Sequence, residues 1–276
     1  MASVAWLNGS PADTALAFSR GLHYGDGVFR TLLKYDRQII DIDGQLEKLA
    51  ADSAVLDLRF DGLSPLRQEI FDASTNLDTG VIKVLLLRAG AGRGYRPPAE
   101  SSADRLVLCY PLPAFEARCW RTGITATKSD FTLAAQPQLA GIKHLNRLEQ
   151  VLASRSWPAS SDEVILRDDG GRPICGSRSN LFWLQQGVLC TPLLNRCGVA
   201  GRMRARILTL AQQLGIETRI EAFEWHALMA ADEAFVSNSL IGIWPLRQLD
   251  GQVWSAPGPM TADLMRGLAH PTLSFL

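Results

Sequence analysis

The sequence predicts a mixed α+β protein in two domains, on three observations. Helical and strand periodicities alternate along the chain with no internal repeat. Near the middle, Pro111 and Pro113 follow a strongly apolar strand and stiffen an extended connection. The length, 276 residues with 47% hydrophobic and 20% charged, is enough for two cores. The expected division is a smaller N-terminal α/β domain over 1–113, a linker over 114–120 and a larger C-terminal domain over 121–276.

Taken in order, Val4 to Leu7 reads as a short strand ending at Asn8-Gly9, and 27–33 as a strand running into the turn Lys34-Tyr35-Asp36. Asp43 is placed to cap a helix over 45–56, and a second helix is expected over 65–73. Two apolar strands follow, over 81–87 and 106–110, joined by a loop rich in Gly and Pro. Beyond the linker, 123–127 reads as a strand. From Leu145 onward Leu145, Leu148, Val151 and Leu152 recur at helical spacing, which predicts a helix with one buried stripe. A hairpin-dense block follows over 163–191, turning at Asp168-Asp169-Gly170-Gly171 and at Gln186-Gly187. A helix is expected over 202–214, strands over 218–221 and 233–236 around a short helix, and a last helix over 260–268.

Composition excludes several functions. Lys plus Arg and Asp plus Glu stand at 28 each, so no net field favours nucleic acid or an anionic membrane. The longest apolar runs are of strand length and cannot span a bilayer, and no signal peptide is evident. Five cysteines, odd in number and without CxxC spacing, argue against a disulfide framework or zinc site and for the cytoplasm. The four histidines show no metal-ligand pairing, so no metal is expected.

The chemistry gathers at a few positions. Lys143 stands just ahead of the expected helix, where the backbone dipole and burial disfavour an ammonium and favour an amine that attacks carbonyls. Taken alone it reads first as a solvated surface lysine. Gly198-Val199-Ala200-Gly201-Arg202-Met203 opens directly into a helix, an arrangement suited to a phosphate or to a plain strand-to-helix connection. It lacks the Lys-Ser/Thr of a Walker A loop. Ser237-Asn238-Ser239 offers donors where a strand ends, and by itself reads as turn chemistry. Gly92-Arg93-Gly94-Tyr95 projects an arginine suited to a carboxylate, or forms a flexible solvated loop.

Together these residues resemble the fold-type IV pyridoxal-phosphate enzymes, and within them the aminodeoxychorismate lyases. The likeness covers nearly the whole chain. Gly25-Asp26-Gly27 and Ser179-Asn180-Leu181-Phe182-Trp183 are shared widely in that group, whereas the run Gly141-Ile142-Lys143-His144-Leu145-Asn146-Arg147 and Gly92-Arg93-Gly94-Tyr95 belong more to the lyases. The resemblance implies a two-domain architecture with the active site at the domain interface, and pyridoxal 5'-phosphate as cofactor. It makes Lys143 the Schiff-base lysine and acid/base. Arg202 and Met203 would present backbone N–H groups to the phosphate, with Asn238 and Ser239 on its other side. Lys48 falls where relatives place a phosphate-binding arginine, and Arg147 should lie near the phenolic oxygen. Tyr24, Phe29 and Thr31 would line the substrate side. Arg93 and Tyr95 would grip a substrate carboxylate, and the resemblance implies a homodimer whose active sites borrow residues from both subunits.

One departure stands out. Where relatives carry a glutamate that keeps the pyridine nitrogen protonated, this chain has Cys175. A neutral thiol is a weak hydrogen-bond partner and no counter-ion, which implies a weaker electron sink. The activity implied is conversion of 4-amino-4-deoxychorismate to 4-aminobenzoate and pyruvate, a step toward folate. A D-amino-acid or branched-chain aminotransferase of the same fold is the alternative. A non-catalytic pyridoxal-phosphate-binding relative, suggested by Cys175 and Lys48, is the third.

Overall fold

The computed structural model describes residues 6–7, 10–11, 17–89, 94–98, 102–155 and 157–272. Contacts divide the chain into two units, one of Met1–Pro111 with Lys143–Asn146 and one of Leu112–Ile142 with Arg147–Leu276. The division thus falls at Pro111, close to the end expected at 113. The segment Lys143–Asn146, expected in the C-terminal domain, groups with the first unit.

In the first unit, β1 (Trp6–Leu7) pairs with β2 (Ser10–Pro11). Helix α1 (Arg20–Tyr24) is capped by Ser19, whose hydroxyl accepts the Gly21 N–H at 3.0 Å. It stops at Gly25, where φ is 65° and a Cβ would come within 2.3 Å of Asn146 Oδ1, so glycine is required. Then come β3 (Gly27–Tyr35), β4 (Gln38–Ile39), α2 (Ile42–Val55), α3 (Leu63–Ala73), β5 (Gly80–Arg88) and β6 (Ala103–Pro111). The strands form an antiparallel sheet in the order β4-β3-β5-β6. Period-2 alternation sorts β3 into two faces. Val28 and Leu32 pack with Leu46 and Leu49 of α2 and Leu66 and Ile70 of α3, while Phe29 packs with Leu85 and Leu87.

The second unit contains α4 (Arg118–Arg121), β7 (Ile124–Leu133), α5 (Leu148–Arg155), β8 (Glu163–Asp168), β9 (Pro173–Gly176), β10 (Asn180–Gln185) and β11 (Val188–Pro192). It continues with α6 (Arg202–Gln213), β12 (Thr218–Glu221), α7 (Trp225–Met229), β13 (Glu233–Asn238), β14 (Gly242–Leu249), β15 (Gln252–Val253) and α8 (Pro259–Leu268). The nine strands join in the order β12-β11-β10-β13-β14-β7-β8-β9, with β15 on β14. Strand β9 also pairs back on β10, with Asn180 opposite Cys175, which closes six strands into a ring. The main core joins Phe182 and Phe235, stacked at 5.0 Å, with Trp120, Trp183 and Trp244, under Met203 and Ile207 of α6 and Leu264 of α8.

The helix expected from Leu145 begins instead at Leu148. The preceding residues spend their backbone groups on β3: His144 bridges Val28, and the Leu145 N–H donates to Gly27 O at 3.0 Å. A segment so paired cannot start a helix. Nor is the expected stripe a buried one within the chain, since Leu148, Val151 and Leu152 are 73%, 55% and 42% exposed.

Candidate functional site

Lys143 lies in an extended segment and not at a helix mouth, so the dipole argument does not apply to it. Its main chain is held on both sides. The carbonyl accepts the Phe29 N–H at 2.9 Å, and its N–H donates to Asp52 Oδ2 at 3.2 Å. The half-buried side chain sets its ammonium 4.4 Å from the centre of the Phe29 ring, a favourable cation–π placement. Lys83 of β5 brings a second ammonium to that ring at 4.8 Å. Thr31 shares the Phe29 face of β3, two residues on.

Tyr24, Tyr95 and Lys48 are further expected residues of the first unit. The Tyr24 hydroxyl accepts the Gly94 N–H at 3.2 Å, and its ring lies 5.4 Å from that of Tyr95. The structure therefore brings Tyr24 and Tyr95 together, and leaves Tyr95 86% exposed. Lys48 is ion-paired with Asp52 at 2.5 Å. Arg93 lies outside the described residues.

In the second unit the glycine loop is braced from two directions. Gly141, with φ of 81°, donates to Gly198 O and accepts the Ala200 N–H, both at 3.0 Å. Across from it the Asn180 amide donates to Val199 O at 2.7 Å and accepts the Gly201 N–H at 3.1 Å. Gly201 is the N-cap of α6 and carries no side chain over the helix end. The first-turn amides of Arg202 and Met203 therefore stand at the positive end of a twelve-residue helix, a natural anion site. The Met203 thioether itself is core.

Asn238 uses its side chain on the protein. Its Oδ1 accepts the N–H groups of Leu240 and Ile241 at 2.9 and 3.1 Å, and its Nδ2 donates to Arg178 O at 3.2 Å. A role toward an anion would fall to its main chain. Ser239 O accepts from His270 Nε2 at 3.3 Å. Ser237, in register with Asn180, is fully buried, and its hydroxyl has no partner among the described residues.

Cys175 is buried beside Cys197. Burial first, and then the negative potential of neighbouring groups, push its thiol well above the ordinary range, against the opposing pull of Arg147. The sulfur is a neutral thiol. Burial also draws the Arg147 guanidinium down, and its Nε is buried without a partner among the described residues. Glu163, 1% exposed, holds the adjoining turn by accepting from Ser177 N, Ser177 Oγ and Ser179 Oγ at 3.1, 2.6 and 2.8 Å.

Buried polar groups are seldom left unpaired. In the second unit a desolvated Arg147 Nε, the unpartnered Ser237 hydroxyl and a bare helix start therefore suit an anionic, phosphorylated ligand. In the first unit, taken by itself, a half-buried lysine on an aromatic ring suits an aldehyde. Sequence reading missed Asp52, Arg30, Lys83 and Glu163. Arg30 was legible as a charge between apolar Val28 and Leu32 on a strand, and Lys48 with Asp52 as an i,i+4 pair. Glu163 carried no signal. Among the described residues no group of His, Cys, Asp and Glu is placed to hold a metal ion.

Comparison with known proteins agrees with this chemistry. The family described as amino-transferase class IV matches residues 27–249. The chain is 30% identical to an aminodeoxychorismate lyase of Vibrio harveyi, over 87% of this chain and 89% of that protein. It is also 30% identical to a branched-chain-amino-acid aminotransferase of Escherichia coli strain K12, over 95% of this chain and 90% of that one. The crystal structure of 4-amino-4-deoxychorismate lyase from Pseudomonas aeruginosa superposes with a TM-score of 0.89 at 40% identity, covering 95% of this chain and 97% of that one. The chain belongs to the amino-transferase class IV family, the fold-type IV enzymes that depend on pyridoxal phosphate.

Proposed function

We propose that the protein is an aminodeoxychorismate lyase, converting 4-amino-4-deoxychorismate to 4-aminobenzoate and pyruvate, a step toward folate. The observation that carries this reading is the 40% identity to a lyase crystal structure over 95% of the chain, against 27% over 96% for the structure of the Escherichia coli branched-chain aminotransferase. Pyridoxal phosphate, when bound, supplies the electron sink for the substrate's amine-bearing carbon. Lys143 Nζ would hold the aldehyde and, once displaced by the substrate amine, take the proton from that carbon. Lys48, the first-turn amides of Arg202 and Met203, and the Asn238-Ser239 turn would hold the phosphate. Arg147 would face the phenolic oxygen, and Cys175 the ring nitrogen. Tyr24, Phe29 and Thr31 would line the substrate side, with Arg93 and Tyr95 taking its carboxylate.

The neutral Cys175 thiol supports the lyase over transamination. It leaves the ring a weaker electron acceptor, tolerable where the product becomes aromatic. The likeness to the branched-chain aminotransferase keeps that activity as the second reading. The exposed apolar residues Leu148, Val151 and Leu152 are consistent with a homodimer that covers them. Among the described residues no helix is long and apolar enough to cross a membrane. The test is incubation of purified protein with aminodeoxychorismate, and separately with an amino acid and a 2-oxo acid. Release of 4-aminobenzoate and pyruvate, lost in Lys143→Ala, is the expected result. Amino-group exchange without 4-aminobenzoate would establish the aminotransferase instead.

A further inference from the structure

Between α2 and β3 lies a buried ionic pair, Arg30 and Asp52, to which the cofactor reading gives no role. Arg30 stands on the core-facing side of β3 between Val28 and Leu32, and is 3% exposed. Its guanidinium pairs with Oδ2 of Asp52, a carboxylate on α2 with no exposure at all. Asp52 Oδ1 holds the Lys48 ammonium, one helical turn earlier, at 2.5 Å. The oxygen that takes Arg30 also accepts the Lys143 N–H at 3.2 Å. One carboxylate thus ties together a central strand, a helix turn and the segment that carries Lys143.

Stability alone is a poor reason for such a cluster. Two charges taken out of water lose hydration that their attraction barely restores, and apolar residues of similar size commonly do as well. Geometry is a better reason. A lysine ammonium on its flexible stem is a mobile point charge unless something fixes it. Here the anchor is a carboxylate that is itself immobilised by an arginine on the sheet, and that also holds the Lys143 backbone.

We propose that Asp52 is a positioning residue for anion recognition: the Arg30–Asp52 bridge fixes the Lys48 ammonium at a set place relative to Lys143, where it receives the phosphate of pyridoxal phosphate. The proposal rests on the cofactor reading above, and extends it from the residues that touch the cofactor to the one that places them.

The test compares the dissociation constants of pyridoxal 5'-phosphate and of unphosphorylated pyridoxal on the full-length apoprotein. The informative variant is Arg30→Leu with Asp52→Asn. It removes both buried charges together, so no lone charge is left in the core, and the cluster keeps one net positive charge, as in the wild type. A pure field effect therefore leaves the preference for the phosphorylated form unchanged. A positioning role lowers it by about tenfold, the worth of a charge-assisted hydrogen bond. Lys48→Met should lower it to a similar extent, and adding the paired substitutions to Lys48→Met should lower it little further. If the paired variant fails to fold, Asp52→Asn alone still decides: it keeps an acceptor for the Lys143 N–H and raises the cluster's net charge by one, so a pure field effect raises the preference while a positioning role lowers it.

A folded variant that keeps the wild-type preference would overturn the proposal. So would a triple variant far below Lys48→Met, because Asp52 would then act by another route. A preference untouched by Lys48→Met would also overturn it and remove Lys48 from the phosphate site, while leaving the rest of the cofactor reading intact. A wild-type protein that does not distinguish the two ligands would overturn the cofactor reading itself, and the proposal with it.

Discussion

The guanidinium of Arg147 favours the thiolate of Cys175, yet the burial of that sulfur, 6% exposed, outweighs it and the thiol stays protonated. The thiolate is the reactive form, so Cys175 should resist alkylation at mildly alkaline pH while exposed Cys109 reacts. Peptide mass mapping after brief iodoacetamide treatment checks this. Cys175→Glu should shift the visible absorbance of the cofactor-loaded protein and raise transamination relative to lyase activity. An unchanged spectrum together with an unchanged ratio would mean that residue 175 does not face the ring nitrogen.

Asn180 spends both ends of its amide on the glycine loop. Asn180→Ala should loosen that loop and weaken binding of pyridoxal phosphate by roughly tenfold, the worth of one or two buried hydrogen bonds. Gly201→Ala should act alike, because its Cβ would come within 2.3 Å of Asn180 Oδ1 and push the amide aside. Fluorescence titration of the apoprotein measures both.

His270 is buried, with Nδ1 2.7 Å from Thr272 Oγ1, and burial pushes its pKa from the ordinary 6.5 down to about 4. Between those values the unfolded chain binds a proton that the folded one refuses. The contribution is therefore complete above pH 6.5 and is lost as pH falls toward 4, about 3 kcal/mol in all. Urea unfolding across that window should show the loss, and His270→Gln should flatten that part of the profile.

Asp26 accepts from both Arg20 and Arg88 at 2.9 Å, and neither arginine side chain is more than 8% exposed. Arg20 also donates to the carbonyls of Gly94 and Tyr95 at 2.8 and 3.0 Å. Asp26→Asn leaves two buried cations without their counter-ion and should cost about 3 kcal/mol in urea unfolding. Faster amide hydrogen exchange around Gly94 and Tyr95 should accompany it.

Local pattern made much of the fold legible. The apolar strands around Val84 and Val107, the hairpins from Glu163 to Thr191 and the helix behind Gly201 each carry their own turn or cap signals in sequence. The failures came where tertiary pairing overruled local periodicity. Leu145 looks helical beside Leu148, but its N–H is claimed by Gly27. Strand β14 was not expected, and it carries Pro245, a residue uncommon in a central strand. The structure accommodates that proline because the ladder to β7 begins only at Leu246. In the site, Lys143 and the glycine loop stand in recognisable runs of residues. Asp52 does not, because its partners Arg30 and Lys143 are 22 and 91 residues away and only the fold assembles them.

The ring of strands in the second unit shuts through one bridge, Asn180 to Cys175. The clasp of the hoop is therefore made of two residues to which the proposed function also gives work, one bracing the glycine loop and the other beside Arg147. Retuning the electronics at this seam disturbs the joint that keeps the barrel round. Under the proposed function, sequence drift there is answerable to catalysis and closure at once, and substitutions at either position should survive only with compensating changes nearby.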